Sequence, residues 1–248
     1  MTGNDRTFRG EFRLLIDTSE RVGQVGLAMD ERVVAARRLD PSRRHARDLS
    51  PTIADVLNEA HRPMADVTAI VVTLGPGSYT GLRVGLMTAK ALSYALGRPL
   101  VPVPTFSAIA WAVRQPATSL SVIADALRGN LYEQRFERAS PVEPWRAAAA
   151  LRIVARSDWH ASLNVAAVAG PGVALVESEL PAEVLRAAAR APTLEALAAL
   201  ARTTTAVTEP AGLFALEPIY LRPSSAEEQW ARRSPASATG PGACTSPS

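Results

Sequence analysis

The stretch from Val67 to Leu96 constrains this chain more than any other. Val67 to Thr73 (Val-Thr-Ala-Ile-Val-Val-Thr) is continuously apolar rather than alternating, the pattern of a strand covered on both faces inside a parallel sheet. A glycine- and proline-rich loop, Gly75 to Gly81, leads into a helix from about Thr80 to Leu96, which Gly97 ends and Pro99 stops. Leu100 to Val103 then reads as a short strand and Thr105 to Val113 as a further helix.

Upstream, Phe12 to Asp17 reads as a buried strand and Val22 to Met29 as a second. Asp30-Glu31 makes a tight turn, and Arg32 to Leu39 returns as a third strand. Leu49, Ile53, Val56, Leu57 and Ala60 recur at helical spacing. Ser50 and Pro51 fit the cap and first residue of that helix, because a start near Arg44 has to absorb Pro51 in its body. Three antiparallel strands, helix, strand, helix, strand, helix is the order of a ribonuclease-H-like lobe. That unit is duplicated in the actin and sugar-kinase superfamily.

The second half repeats the opening faintly. Leu120 to Asp125 is an apolar strand ending in Asp, and a turn through Arg128-Gly129 feeds Leu131 to Glu137. Val165 to Ala169 reads as a strand entering Gly170-Pro171-Gly172, and Ala182 to Arg190 and Thr193 to Arg202 as helices. Glu143 to Trp159 carries no clear signal. The expected class is α/β, with actin-like (ASKHA, ribonuclease-H-like) duplicated lobes of which the second is reduced. The expected organisation is a flexible N-terminus over residues 1–10, a first lobe over 11–115, a smaller second lobe with C-terminal elements over 116–222, and a disordered Pro/Gly-rich tail over 223–248.

Composition removes several function classes. No apolar run approaches the roughly 20 residues that span a bilayer, and the polar start lacks the apolar stretch of a secretory signal. The one cysteine, Cys244, excludes a disulfide framework within the chain. The expected compartment is the cytoplasm. A net charge of +3 is compatible with nucleic acid without predicting it. Lys90 is the one lysine, so the basic character is arginine.

Four segments together resemble the TsaB/YeaZ family of glycoprotease-like proteins. They are Ile16-Asp17-Thr18-Ser19, the run Gly75-Pro76-Gly77-Ser78-Tyr79-Thr80-Gly81-Leu82-Arg83-Val84-Gly85, the stretch Asp125-Ala126-Leu127-Arg128-Gly129-Asn130-Leu131-Tyr132, and Tyr220-Leu221-Arg222-Pro223 followed by Ala226 to Trp230. The second is the most specific. The resemblance implies a non-catalytic subunit that pairs with a catalytic sibling of the same fold, TsaD, which places a threonylcarbamoyl group on the N6 of an adenine in transfer RNA. It also implies a TsaE-type ATPase as a further partner, contact with tRNA through the complex, and a homodimer when the sibling is absent.

Each candidate site has a chemical and a structural reading. Asp17 with Thr18 and Ser19 occupies the place where ATP-using relatives organise Mg²⁺ and phosphate; structurally it is a turn aspartate accepting local hydrogen bonds. Gly75, Gly77 and Ser78 stand at a helix N-terminus, where backbone amides can hold an anion. The loop nevertheless lacks the Gly-Lys-Ser/Thr ending of a P-loop and the spacing of a dinucleotide fold, so a sharp turn with Ser78 or Thr80 as cap is the plainer expectation. Asp125 and Arg128 form the second lobe's version of the Asp17 turn, with an intramolecular salt bridge across the cleft as the structural reading and phosphate contact as the chemical one. Gly170-Pro171-Gly172 lies where relatives carry adenine-binding glycines. No resident cofactor is expected, with ATP as the alternative.

The helix after the loop is apolar almost all round and must be covered on two sides. Leu82, Leu86, Met87, Lys90 and Tyr94 on it, with Leu49, Ile53, Val56 and Leu57 on the preceding helix, are therefore the expected interface with the sibling or a second copy. The sibling enzyme holds its metal with two histidines four apart on a helix. Here His45, His61 and His160 have no partner at that spacing, so no metal site is expected. The competing functions are an ATP-dependent enzyme of the same superfamily using Asp17 and the glycine loop, a metal-dependent glycoprotease, and an RNA-binding module, for which aromatic-basic interleaving is missing.

Overall fold

The first sheet grows outward from β1 (Phe12–Asp17). In a computed structural model that describes residues 10–40 and 45–221, with the side chains of His45 and Ala46 left out, β1 pairs antiparallel with β2 (Gln24–Met29), and β2 with β3 (Arg32–Arg38). Asp30, at φ 57°, makes the left-handed step of the turn between them. The expectations for residues 1–9 and 223–248, and the motif from Arg222 onward, lie outside the described residues.

On the other side of β1, β4 (Val67–Thr73) and then β5 (Leu100–Val103) add in parallel, giving the order β3-β2-β1-β4-β5. β4 is apolar throughout because both its faces are covered. Ile70 and Val72 face the core under α1 (His45–Glu59) and α2 (Tyr79–Leu96), and Val71 faces the opposite layer. α2 starts at an N-cap, Ser78, whose Oγ accepts from the Gly81 amide, and ends in left-handed Gly97.

The start of α1 departs from expectation. The helix begins at His45 and carries Pro51 in its interior. Proline removes the hydrogen bond to the carbonyl of Arg47, but Arg47, Ser50 and Pro51 are all exposed, which lowers the cost of leaving that carbonyl outside the helical ladder.

The second sheet repeats the first. β6 (Ser119–Asp125) and β7 (Asn130–Glu137) are antiparallel, and β7 pairs on its far side with β8 (Arg146–Ala147) and β9 (Arg152–Ala155). β10 (Ala167–Ala169) and β11 (Leu185–Arg186) add in parallel beyond β6. The connectivity is that of the first sheet, with shorter parallel strands. Where the first lobe has the 18-residue α2, the second has α5 (Val173–Val176) of 4 residues. α4 (Arg156–Ala161) supplies Trp159 to the core on that side. The helix expected over Ala182 to Arg190 is absent. Leu185 and Arg186 pair instead with Ala167 and Val168, so tertiary pairing overrides the alanine- and leucine-rich propensity.

A chain boundary near 115 separates the sheets but not their packing. α3 (Thr105–Trp111) places Ala108 against the first sheet and Phe106, Ile109 and Ala110 against the second. α6 (Leu194–Leu200), capped by Thr193, returns to cover the free face of the first sheet with Leu194 and Leu197. α7 (Pro210–Ala215) lies beside α2 and inserts Leu213 into the core there. Residues 116–222 thus include two helices that belong by packing to the first lobe.

Candidate functional site

Asp17 ends β1 with its carboxylate 1% exposed, so everything it does is decided by its hydrogen-bond partners. Oδ1 accepts from the Ser19 amide (3.0 Å), the Ser19 hydroxyl (2.7 Å) and the Thr73 hydroxyl (2.9 Å). Oδ2 accepts from the Gln24 side-chain amide (3.0 Å), which also donates to the Pro192 carbonyl (2.8 Å). Four donors saturate the carboxylate and tie the β1–β2 turn to β4 and to the segment leading into α6. The group is organised as the keystone of a turn.

Beside it, Glu20 is pushed up to about 7, first by burial and second by the negative charge of Asp17. Between its ordinary 4.5 and about 7 the folded state holds a proton that the unfolded chain has lost. Stability therefore falls as pH climbs through that window, by up to about 3 kcal/mol. Glu20→Gln should flatten the slope of unfolding free energy between pH 5 and 7, measured by denaturant titration at several pH values. An unchanged slope assigns the titration elsewhere.

The glycine loop is filled from within the chain. Gly77, just ahead of α2, and Gly81 and Gly85 within it are spaced four apart and turned to the Asp17 turn. A Cβ on Gly77 would lie 2.4 Å from the Ser19 carbonyl oxygen, on Gly81 2.1 Å from the Thr18 carbonyl oxygen, and on Gly85 2.1 Å from Thr18 Oγ1. The Ser78 amide donates to the Ser19 carbonyl (2.7 Å), and the Gly81 amide to Ser78 Oγ (3.2 Å). Over Gly75, Ile219 runs close enough for its amide to bond the Leu74 carbonyl (2.8 Å). These glycines give α2 contact distance to Thr18 and Ser19.

The second lobe's turn is built differently. Asp125 is exposed, and its Oδ1 accepts from the Leu127 amide (2.7 Å). Leu127, Arg128 and Gly129 all have φ between 54° and 74°. Gly170 and Gly172 pack on β6, where a Cβ on Gly170 would sit 2.3 Å from the Ile123 carbonyl oxygen. Among the described residues no group of three His, Cys, Asp or Glu side chains could hold a metal ion.

The helix faces expected to form an interface divide sharply. Leu49, Ile53, Val56, Leu57, Leu82 and Leu86 are all buried. Leu49, Ile53, Val56, Leu57 and Leu86 are packed against one another in the core beneath α1 and α2, so they add little to the outer surface apart from the groove between those helices. Met87 (63% exposed) and Tyr94 (62%) do reach the surface, with Lys90 between them. α7 extends this patch. Phe214, 68% exposed, packs against Tyr94 with the rings tilted and their centroids 5.8 Å apart, and Lys90 Nζ donates to the Phe214 carbonyl (3.2 Å). Toward the helix start, the Arg83 guanidinium lies over the Tyr79 ring (4.1 Å) and donates from Nε to the Tyr220 hydroxyl (3.1 Å). A groove of about 330 Å³ runs between α1 and α2, lined in part by Ile53, Leu57, Met64 and Leu92.

The family profile described as TsaD, tRNA N6-adenosine threonylcarbamoyltransferase, matches residues 40–153. The tRNA threonylcarbamoyladenosine biosynthesis protein TsaB of Bacillus subtilis is 32% identical over 124 residues, 50% of this chain and 54% of that protein. The chain thus matches about half the length of that relative. An uncharacterized protein of Mycobacterium tuberculosis is 32% identical over 222 residues, 84% of this chain and 90% of the other. Among solved structures, a Pseudomonas aeruginosa protein with similarity to peptidase YeaZ superposes with a TM-score of 0.71 at 25% identity, covering 86% of this chain and 100% of that one. This chain belongs to the TsaB/YeaZ family.

Within this TsaB/YeaZ chain, the structure gathers Asp17, Thr18, Ser19, Gly77 and Ser78 at one place and leaves Asp125 and Arg128 on a separate hairpin. Two surface elements escaped the sequence. Phe214 sits on a helix only 6 residues long, too short for a periodic signal. Tyr220 was legible as part of a motif, but its partner Arg83 lies 137 positions away.

Proposed function

We propose that this chain is the non-catalytic partner subunit in N6-threonylcarbamoyladenosine synthesis on tRNA, acting by heterodimerisation with a TsaD-type catalytic subunit. The names of its relatives support the pathway, and the matched connectivity of the two sheets supports an actin-like (ASKHA) duplication with a reduced second lobe. A TsaE-type ATPase would act with the pair, tRNA would be reached through the complex, and a homodimer would form when the sibling is missing. The cytoplasm, where that chemistry takes place, is the corresponding compartment; no helix among the described residues is long and apolar enough to cross a membrane.

The observation that carries this reading is the α2–α7 surface. Met87, Tyr94 and Phe214 expose apolar and aromatic side chains side by side, flanked by Arg83 stacked on Tyr79. Tyr and Arg anchors beside apolar neighbours are the composition of an interface core. The Asp17 turn supports the non-catalytic half, since its carboxylate and the Ser78 amide are already occupied by the chain itself. The competing ATP-dependent reading needs those same groups for Mg²⁺ and phosphate.

Reconstituting the tRNA modification from purified components with and without this chain tests the role directly. Tyr94→Glu should weaken pairing with the catalytic subunit at least tenfold while the melting temperature stays within about 2 °C, since the residue is exposed. Leu86→Glu is no equivalent test, because it buries a charge in the core. Pairing unchanged in Tyr94→Glu would move the interface elsewhere. Micromolar binding of ATP with Mg²⁺ to the isolated chain would favour the enzyme reading.

A further inference from the structure

The inner face of β7 carries a charge where the fold calls for an apolar residue. Leu131, Glu133 and Arg135 alternate onto the side of the sheet that packs with Trp159, and Glu133 is 1% exposed. Its carboxylate is fully engaged. Oε1 accepts from Ser121 Oγ and Arg135 Nε, both at 3.1 Å, and Oε2 meets Arg152 at Nε (2.8 Å) and Nη2 (2.6 Å). Trp159 Nε1 donates to the same serine hydroxyl (3.3 Å), so the core side of the network is closed. A buried ion pair of this kind rarely adds stability over an apolar replacement. Something other than stability therefore accounts for a glutamate here.

What the glutamate does is hold two guanidinium groups still. Arg135 and Arg152 both turn their Nε edge to Glu133, and Arg135 Nη2 is further fixed by the Ser162 carbonyl (3.1 Å). Arg135 Nη1 and Arg152 Nη1 have no acceptor among the described residues. Both arginines line an open cavity of about 330 Å³, together with Glu133, Ala149 and Ala150. The lining thus holds two positive groups against one negative, with small side chains that leave room. Fixed guanidinium donors recognise oxyanions, and two separately anchored Nη1 groups suit a tetrahedral oxyanion, whose oxygens point in different directions.

We propose that this cavity in the second lobe binds a phosphate group. It lies apart from the Asp17 turn and from the α2–α7 surface, and it stands whether or not the partner-subunit reading holds. The cavity admits a phosphate with a small appendage and is at the lower end of ligand-site volumes. Two sources supply this chemistry, a small phosphorylated molecule and the backbone of a polynucleotide.

The test is thermal melting of the full chain in inorganic phosphate and in chloride at equal ionic strength, for the natural chain and for Ala150→Asp. Ala150 is exposed at the cavity, so a carboxylate there repels the anion without disturbing the Glu133 pairing. Phosphate at about tenfold above its dissociation constant should raise the natural chain's Tm by about 3–5 °C over chloride. In Ala150→Asp the two salts should melt alike. Should that variant melt low in chloride, Ala149→Asp makes the same comparison. A phosphate shift that is missing in the natural chain, or that survives both substitutions, overturns the proposal. The source is read from tRNA binding by the reconstituted complex. A loss of about tenfold with a salt slope shallower by about one marks a backbone phosphate. Unchanged tRNA binding with the phosphate shift abolished marks a small ligand.

Discussion

Gly81→Ala should destabilise this protein by about 2–4 kcal/mol, although the same substitution within an ordinary exposed helix would gain about 1 kcal/mol. The sign reverses because the new methyl carbon would lie 2.1 Å from the Thr18 carbonyl oxygen, a backbone atom on the turn that Asp17 anchors. Neither side can yield without moving α2 off the sheet or breaking the hydrogen bond that the Ser78 amide donates to the Ser19 carbonyl. For a chain of this length the change corresponds to a fall in Tm of about 5–10 °C, readable by calorimetry. Gly85→Ala is the informative companion. Its clash is with Thr18 Oγ1, and with that oxygen removed the remaining close approach is the Thr18 Cβ at 3.3 Å. Thr18→Ala should therefore rescue Gly85→Ala by about 1–2 kcal/mol and leave Gly81→Ala unrescued, a coupling that a double-mutant cycle measures. Equal rescue of both would mean that α2 is not seated on the turn as described.

That pair of glycine substitutions also explains why the loop misleads a sequence reader. Three glycines ahead of an apolar helix are what an anion cradle needs, and they are equally what a close helix-to-turn contact needs. The spacing that separates the two, four residues between Gly77, Gly81 and Gly85, becomes meaningful only once Thr18 and Ser19 are known to lie opposite. The first lobe was otherwise legible because its signals are local. An unbroken apolar run marks β4, a period-matched stripe marks α1, and Gly97 marks the end of α2.

What stayed hidden depends on partners distant in the chain. The all-round apolar character of α2 said that it must be covered, and the structure shows that α1, the sheet and α7 supply most of the cover, leaving Met87 and Tyr94. α7 arrives more than a hundred positions later with no periodic signature. Leu185 and Arg186 extend a sheet because β10 offers them an edge, against their helical composition. Pro51 is tolerated inside α1 because it happens to face water.

Asp17→Ala should be strongly damaging, costing about 4 kcal/mol or more. It deletes an acceptor for four hydrogen bonds in a site 1% exposed. Each donor left buried without a partner carries a penalty of about 1–3 kcal/mol. Asp17→Asn separates structure from chemistry. Its remaining oxygen can still accept from Ser19 and Thr73, while its new N–H faces the Gln24 amide, which must rotate and release the Pro192 carbonyl. A loss of about 1–2 kcal/mol follows, with most of the chain still folded. If Asp17 is only the keystone of the turn, Asp17→Asn, measured well below its melting temperature, supports tRNA modification in the reconstituted system within about twofold of the natural chain. If it organises Mg²⁺ or an attacking water, the same variant loses activity by about a hundredfold at equal folded fraction. The two outcomes do not overlap, and circular dichroism on the same sample fixes the folded fraction that the comparison needs.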